Sequence, residues 1–147
     1  MNSKVIKHFI QNGEKIDVEF KESKNALTKD VFDTVCSFNN RNGGHILLGV
    51  NDKREIVGVS KDKVDKVIKE FTTACNNPQK IYPPLYLIPE VFDVDEKKVI
   101  YIRVPEGFRY AEIMEEFGIG LMKEISISQI IQNLYISYMQ ENRVVIL

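Results

Sequence analysis

The polar and apolar positions of the chain fall into short blocks with two different periods. Residues 16–20 alternate: Ile16, Val18 and Phe20 are apolar, and Asp17, Glu19 and Lys21 lie between and after them. That is the period of a half-buried strand. Residues 46–50 form a nearly unbroken apolar run behind Asn42-Gly43-Gly44, as expected of a buried strand entered through a glycine turn. Between them Val31, Val35 and Phe38 recur at helical spacing, with Phe32 and Cys36 beside the stripe and Thr28 placed as a cap. Before them Val5, Ile6, Phe9 and Ile10 give a first helix, capped by Asn2 or Ser3 and stopped by Gly13.

The pattern continues past residue 50. Residues 46–50 and 55–59 read as a hairpin around Asn51-Asp52-Lys53-Arg54. Ser60 opens a third helix carrying Val64, Val67, Ile68 and Phe71, and Asn76-Asn77-Pro78 stops it. Tyr82-Pro83-Pro84 is an extended connector, and residues 85–94 and 99–104 form a second hairpin around Asp95-Glu96-Lys97-Lys98. The predicted order is α-β-α-β-β-α-β-β, a mixed α/β (α+β) fold with helices flanking a mixed sheet. After Pro105 the pattern loses its clean stripe, and Gly118 and Gly120 interrupt a segment rich in Ile, Met and Glu.

Composition narrows the function little. At 147 residues the chain has the size of one domain, and its 44% hydrophobic and 28% charged residues are ordinary for a globular protein. The net charge of -1 gives no global signal for nucleic acid, so a local basic face would have to supply one. Lys15, Lys21, Lys24, Lys29 and Arg41 flank the proposed sheet end and could track a phosphate backbone. Tyr82, Tyr86, Tyr101 and Tyr110 are candidate stacking residues, read first as ordinary strand aromatics. Cys36 and Cys75 lack metal-ligand spacing and read as buried thiols of a reducing, cytoplasmic compartment. No apolar run approaches the about 20 residues that span a bilayer, and the first residues lack the pattern of a signal peptide.

The candidate chemistry lies in the carboxylates. Glu14 precedes the first strand, Glu19 projects from its polar face, and Asp52 follows the second. Carboxylates are hard ligands suited to Mg²⁺ or Mn²⁺, and a set of them could hold a metal for phosphoryl chemistry. From the pattern alone they read first as solvated charges, Glu14 and Glu19 on the polar face of a strand and Asp52 in a turn. Gly43-Gly44 lacks the lysine and hydroxyl of a P-loop and reads as a tight helix-to-strand turn. His45, at a strand start, reads as structural.

The ordered set Gly13-Glu14, Val18-Glu19-Phe20-Lys21-Glu22-Ser23, Phe38-Asn39-Asn40, Gly43-Gly44-His45-Ile46-Leu47-Leu48-Gly49-Val50-Asn51-Asp52 and Ile56-Val57-Gly58-Val59 resembles the Schlafen AlbA_2 domain over about residues 1–108. In bacteria that family is described as DNA-binding, often at the N-terminus of transcriptional regulators and of ATP-binding or helicase-related proteins. Its eukaryotic relatives include endoribonucleases with a Glu-Glu-Asp metal triad. Motif by motif, the resemblance implies Glu14, Glu19 and Asp52 as metal-binding and catalytic residues, with Lys21 beside them. It implies a domain binding DNA or structured RNA, or else an endoribonuclease using Mg²⁺ or Mn²⁺. A dimerising interaction module is the third reading. Schlafen nucleases use two lobes where this chain has one, so a comparable groove implies a homodimer.

Residues 109–147 depart from the family's strand-rich ending and read as an atypical tail. From about Tyr110 they read as an out-of-frame translation of that ending. Back-translating Glu112 to Ser128 and reading two bases later permits Gly-Arg-Ile-Trp-Asp-Arg and then Glu-Arg-Asn-Phe-Asp-Ile-Ser. Met114-Glu115 must then give Gly and Met122-Lys123 must give Glu. Such a tail is expected to dock loosely, and the nucleotide sequence of the gene decides the matter.

Overall fold

The computed structural model describes residues 1–107 and 145–146. Helix α1 (Ser3–Asn12) leads into strand β1 (Val18–Lys21), helix α2 (Asp30–Asn39), strand β2 (Gly44–Leu48) and helix α3 (Val64–Asn76). Strands β3 (Ile81–Tyr82), β4 (Glu90–Val94), β5 (Lys97–Val104) and β6 (Val145–Ile146) follow. The main sheet has the order β1-β2-β5-β4, and β3 pairs with β6 in a second, two-stranded sheet. The fold is mixed α/β, with a four-stranded mixed sheet and flanking helices.

Strands β1 and β2 are parallel, with Val18 opposite His45 and Lys21 opposite Leu48. Parallel neighbours need a long crossover, and α2 supplies it. Both strands therefore end on the same side, where α2 begins. The other pairings are antiparallel: Ile46 lies opposite Ile102, and Phe92 opposite Val99.

Side-chain alternation divides the core into two layers. Ile6, Ile10, Val18, Phe20, Leu47, Val50, Val94, Val99 and Tyr101 pack under α1. Ile46, Leu48, Ile100, Ile102 and Val104 face the other way, onto Val31, Val35 and Phe38 of α2 and Val67 and Phe71 of α3. Because β2 is covered on both faces, its run is apolar throughout, which is why it reads as continuous rather than alternating.

Local signals act largely as expected. Asn2 accepts from the Lys4 and Val5 amides and caps α1; Gly13, at φ 76°, ends it. The β4–β5 hairpin closes on Asp95-Glu96, both at positive φ (50° and 64°), the conformation a two-residue hairpin turn requires.

Four expectations are corrected. Ile16 is not on the first strand: a tight turn joins Lys15 to Val18, with their backbone groups bonded at 3.0 and 3.2 Å, and leaves Ile16 78% exposed. Residues 55–59 make isolated bridges, Val50 with Ile56 and Val59 with Lys98, rather than a strand. The turn before them is a hairpin turn: the Arg54 amide donates to the Asn51 carbonyl at 3.0 Å, Arg54 itself sits at φ 64°, and the Asn51 amide donates to the Glu55 carbonyl at 3.1 Å. Thr28 donates to the Asp30 carboxylate instead of capping an α2 amide. Ser60 bonds Asn25, and α3 begins only at Val64. The expected loose docking of the tail falls on residues 108–144 and 147, outside the described residues. Residues 145–146 pair with β3.

Candidate functional site

The carboxyl ends of β1 and β2, the start of α2 and the loop after Val50 enclose a cleft of about 460 Å³. Phe20, Lys21, Glu22, Ser23, Thr28, Asp30, Asn51, Asp52, Lys53 and Glu55 line it. Clefts beyond the carboxyl ends of parallel strands are the usual place for ligands in such sheets.

Lys21 organises this end of the sheet. It is on the face opposite Phe20, and its side chain is only 16% exposed. Its Nζ lies 2.6 Å from Asp30 Oδ2 and 3.0 Å from Glu19 Oε1. Burial alone would lower the Lys21 pKa; hydrogen bonds to Asp30 and Glu19 more than offset it and hold the ammonium above the ordinary lysine value. The same bond from Lys21, with a second from Thr28, lowers the pKa of Asp30.

Asn51 shapes the loop that carries Asp52. Its Oδ1 accepts from the Lys53 and Glu55 amides at 3.0 and 2.9 Å, and its Nδ2 donates to Glu55 Oε2 at 2.7 Å. Ser23 lines the cleft from a left-handed backbone (φ 38°), and its buried hydroxyl finds no partner among the described residues.

The three carboxylates singled out in the sequence take different positions. Glu14 Oε1 accepts the Phe20 amide at 3.0 Å. In a parallel pair this amide points away from β2, so Glu14 closes the free backbone edge of β1. Glu19 is held by Lys21 on the α2 side, and Asp52 lines the cleft. Among the described residues no three His, Cys, Asp or Glu side chains are grouped closely enough to hold a metal ion. As they stand, a lysine ammonium occupies the space between Glu19 and Asp30, and the residues do not form a ready three-carboxylate metal site.

The five basic candidates also divide. Lys21, Lys24 and Lys29 lie at the end where β1 finishes and α2 starts. Lys15 and Arg41 lie where β1 begins and α2 has ended. Lys53, missed in the sequence, joins the first group through the cleft. Asp30 was missed as well, although a threonine and an aspartate opening a helix after the Lys21 strand were visible. Among the described residues Lys24, Lys29 and Lys53 form no ion pair. Tyr101 is in the core, Tyr86 is 79% exposed, and Tyr110 lies outside the described residues.

His45 is structural. Phe9 of α1 packs on its ring at 4.7 Å between centroids. Its Nδ1 shares a 2.8 Å hydrogen bond with the Tyr101 hydroxyl, which donates when the ring is neutral with its proton on Nε2. Burial lowers its pKa; Asp17 raises it and Arg103 lowers it further. A histidine with a depressed folded pKa resists the proton that the unfolded chain accepts below its ordinary value of 6.5. Stability is therefore full above that value and falls as pH drops from it towards the lower folded pKa. Melting temperature is expected to decline from about pH 7 to about pH 5.5, with a shallower decline in His45→Gln, as thermal unfolding across that range would check.

The sequence model of the Schlafen AlbA_2 family matches residues 14–125. The chain belongs to the Schlafen AlbA_2 family. The match starts at Glu14 and runs past residue 108, where the resemblance read from motifs ended. The AlbA_2 fold is shared with the N-terminal domain of a Nitrosomonas europaea protein described as related to the ATP-dependent DNA helicase RecG. The likeness has a TM-score of 0.53 and 22% identity over 72% of this chain and 74% of that one. A Corynebacterium diphtheriae protein is similar at a TM-score of 0.47 and 16% identity, over 69% of this chain and 24% of that one. No curated protein matches the chain. Both cysteines are free and buried, and no helix among the described residues is long and apolar enough to cross a membrane.

Proposed function

We propose that this AlbA_2 domain binds nucleic acid, DNA or structured RNA, across the sheet end where β1 and β2 finish. The observation that carries the reading is Lys53 in the cleft lining with Lys24 and Lys29, both exposed and next in sequence to lining residues, all three free of ion pairs among the described residues. Lysines without carboxylate partners are available to replace the counterions of a phosphate backbone. Lys21 is committed to Glu19 and Asp30 and positions the cleft wall rather than contacting phosphate. The description of the RecG-related protein, whose N-terminal domain has this fold, is in keeping with a role on nucleic acid.

The deciding experiment incubates the protein with duplex DNA and with pooled transfer RNA, each with Mn²⁺ and with chelator. Retention of either nucleic acid in chelator, weakening steeply with salt, is the expected result. No retention of either at about 50 mM salt would end the binding reading. The endoribonuclease reading draws on Glu19, Lys21 and Asp52 lying at the same sheet end. It requires Mn²⁺-dependent RNA cleavage that disappears in Glu19→Gln while the fold is kept. Cleavage that persists in that variant is not carried by these carboxylates.

A further inference from the structure

Among the described residues the outer edge of β4 pairs with no other strand, and it presents a defined set of backbone groups. Glu90, Phe92 and Val94 lie opposite Tyr101, Val99 and Lys97, and the two-residue turn at Asp95-Glu96 makes these the hydrogen-bonded pairs of the hairpin. The N–H and C=O groups of Val91 and Asp93 therefore point away from β5. Among the described residues they meet no other backbone group. β4 stands at the end of the sheet order, Val91 is 41% exposed, and Ile88 just before the strand is 83% exposed. Proteins usually protect an edge of this kind with a bulge, a proline or charged side chains, lysine above all. β4 reads Glu-Val-Phe-Asp-Val after Pro89: it carries the charges of Glu90 and Asp93 but has no bulge and no lysine, and Val91 stands between them.

We propose that β4 pairs antiparallel with β4 of a second copy, with the twofold axis at Val91. In that register the Val91 amide of each copy donates to the Val91 carbonyl of the other. Each Asp93 amide donates to the other copy's Pro89 carbonyl. Pro89 has no N–H, so it needs no acceptor, and both outward amides of β4 are satisfied. The side chains agree with this register. Val91 meets Val91 with Ile100 beside each, extending one apolar row across the junction. Glu90 faces Phe92, Asp93 faces Pro89, and Ile88 faces Val94, so no like charges stand opposite each other. Shifting the axis to Phe92 places Asp93 against Val91 and breaks the apolar row. The partner is thus a second copy of this chain, and the product is one continuous sheet through both. The pairing is independent of the nucleic-acid reading.

The test is light scattering over a concentration series to about 1 mM, because a single strand pair buries less than the ~1,600 Å² of a standard interface. Amide hydrogen exchange is read at both ends of the series. The expected result is a dimer whose Val91 and Asp93 amides gain protection as concentration rises. Val91→Lys places like charges on the axis and is expected to weaken association at least ten-fold. Val91→Pro removes the outward amide without touching the β5 ladder and should leave a folded monomer. A monomer throughout the series overturns the proposal. So does a dimer in which Val91 and Asp93 stay unprotected, or one that Val91→Lys leaves intact.

Discussion

Gly43→Ala is expected to cost about 3 kcal/mol of stability and to lower the melting temperature by roughly 10 °C. Gly43 turns the chain from α2 into β2, and its amide is bonded to the Phe38 carbonyl at 2.8 Å. Its φ is 80°, where an L-residue is strained by about 1–2 kcal/mol. A methyl group there would also lie 2.6 Å from the Val104 carbonyl oxygen and 3.0 Å from the Glu106 amide. Both are backbone atoms; the first belongs to β5, whose neighbours fix it, so relief requires moving the sheet, at roughly 1–3 kcal/mol. Gly13→Ala is the comparison. Its φ of 76° is also positive, but the methyl would meet only the guanidinium of Arg54, the far end of a flexible side chain that can swing aside. A loss of about 1 kcal/mol is expected there. Thermal or urea unfolding of the two variants checks the difference; equal losses would show that β5 does not confine Gly43.

Replacing Lys24, Lys29 and Lys53 together by alanine is expected to weaken nucleic-acid binding on the order of 100-fold at about 0.1 M salt. Each phosphate contact contributes about 0.9 to the slope of log affinity against log salt on duplex DNA, so the slope should become shallower by up to about 2.7. Arg41→Ala should change neither. Arg41 follows the far end of α2, and a ten-residue helix places about 15 Å between the two groups. That exceeds the ~10 Å screening length at 0.1 M salt, so Arg41 cannot support a phosphate bound at the cleft. Fluorescence titrations at several salt concentrations check both. If Arg41→Ala costs as much as the triple replacement, the binding face runs elsewhere.

Much of the site was legible because it rests on local signals. The spacing of Glu19 and Lys21 puts both on one strand face, and the apolar run at residues 46–50 marks its parallel neighbour. Asp52 follows that run by two residues and lies in the cleft. What escaped notice was the partner of Lys21. Asp30 is nine residues away, and only the α2 crossover brings its carboxylate to 2.6 Å. Glu14 was legible as a carboxylate but not as an edge cap, because its role depends on which β1 amides face away from β2.

The sequence alone determined the three helices and the apolar strands around residues 46–50 and 99–104, since these follow from side-chain period and from residues that tolerate positive φ. It also determined that basic and acidic groups would flank one strand. Tertiary structure decided their grouping. The direction of α2 sent Lys24 and Lys29 to one end and Arg41 to the other, although all five basic candidates had looked like one cluster in the chain. It decided that residues 55–59 would follow the sheet by isolated bridges, and that no described strand would cover the β4 edge beside Val91. Such outcomes depend on which strands become neighbours, and that is set by burying two apolar layers at once, not by any one segment's own pattern.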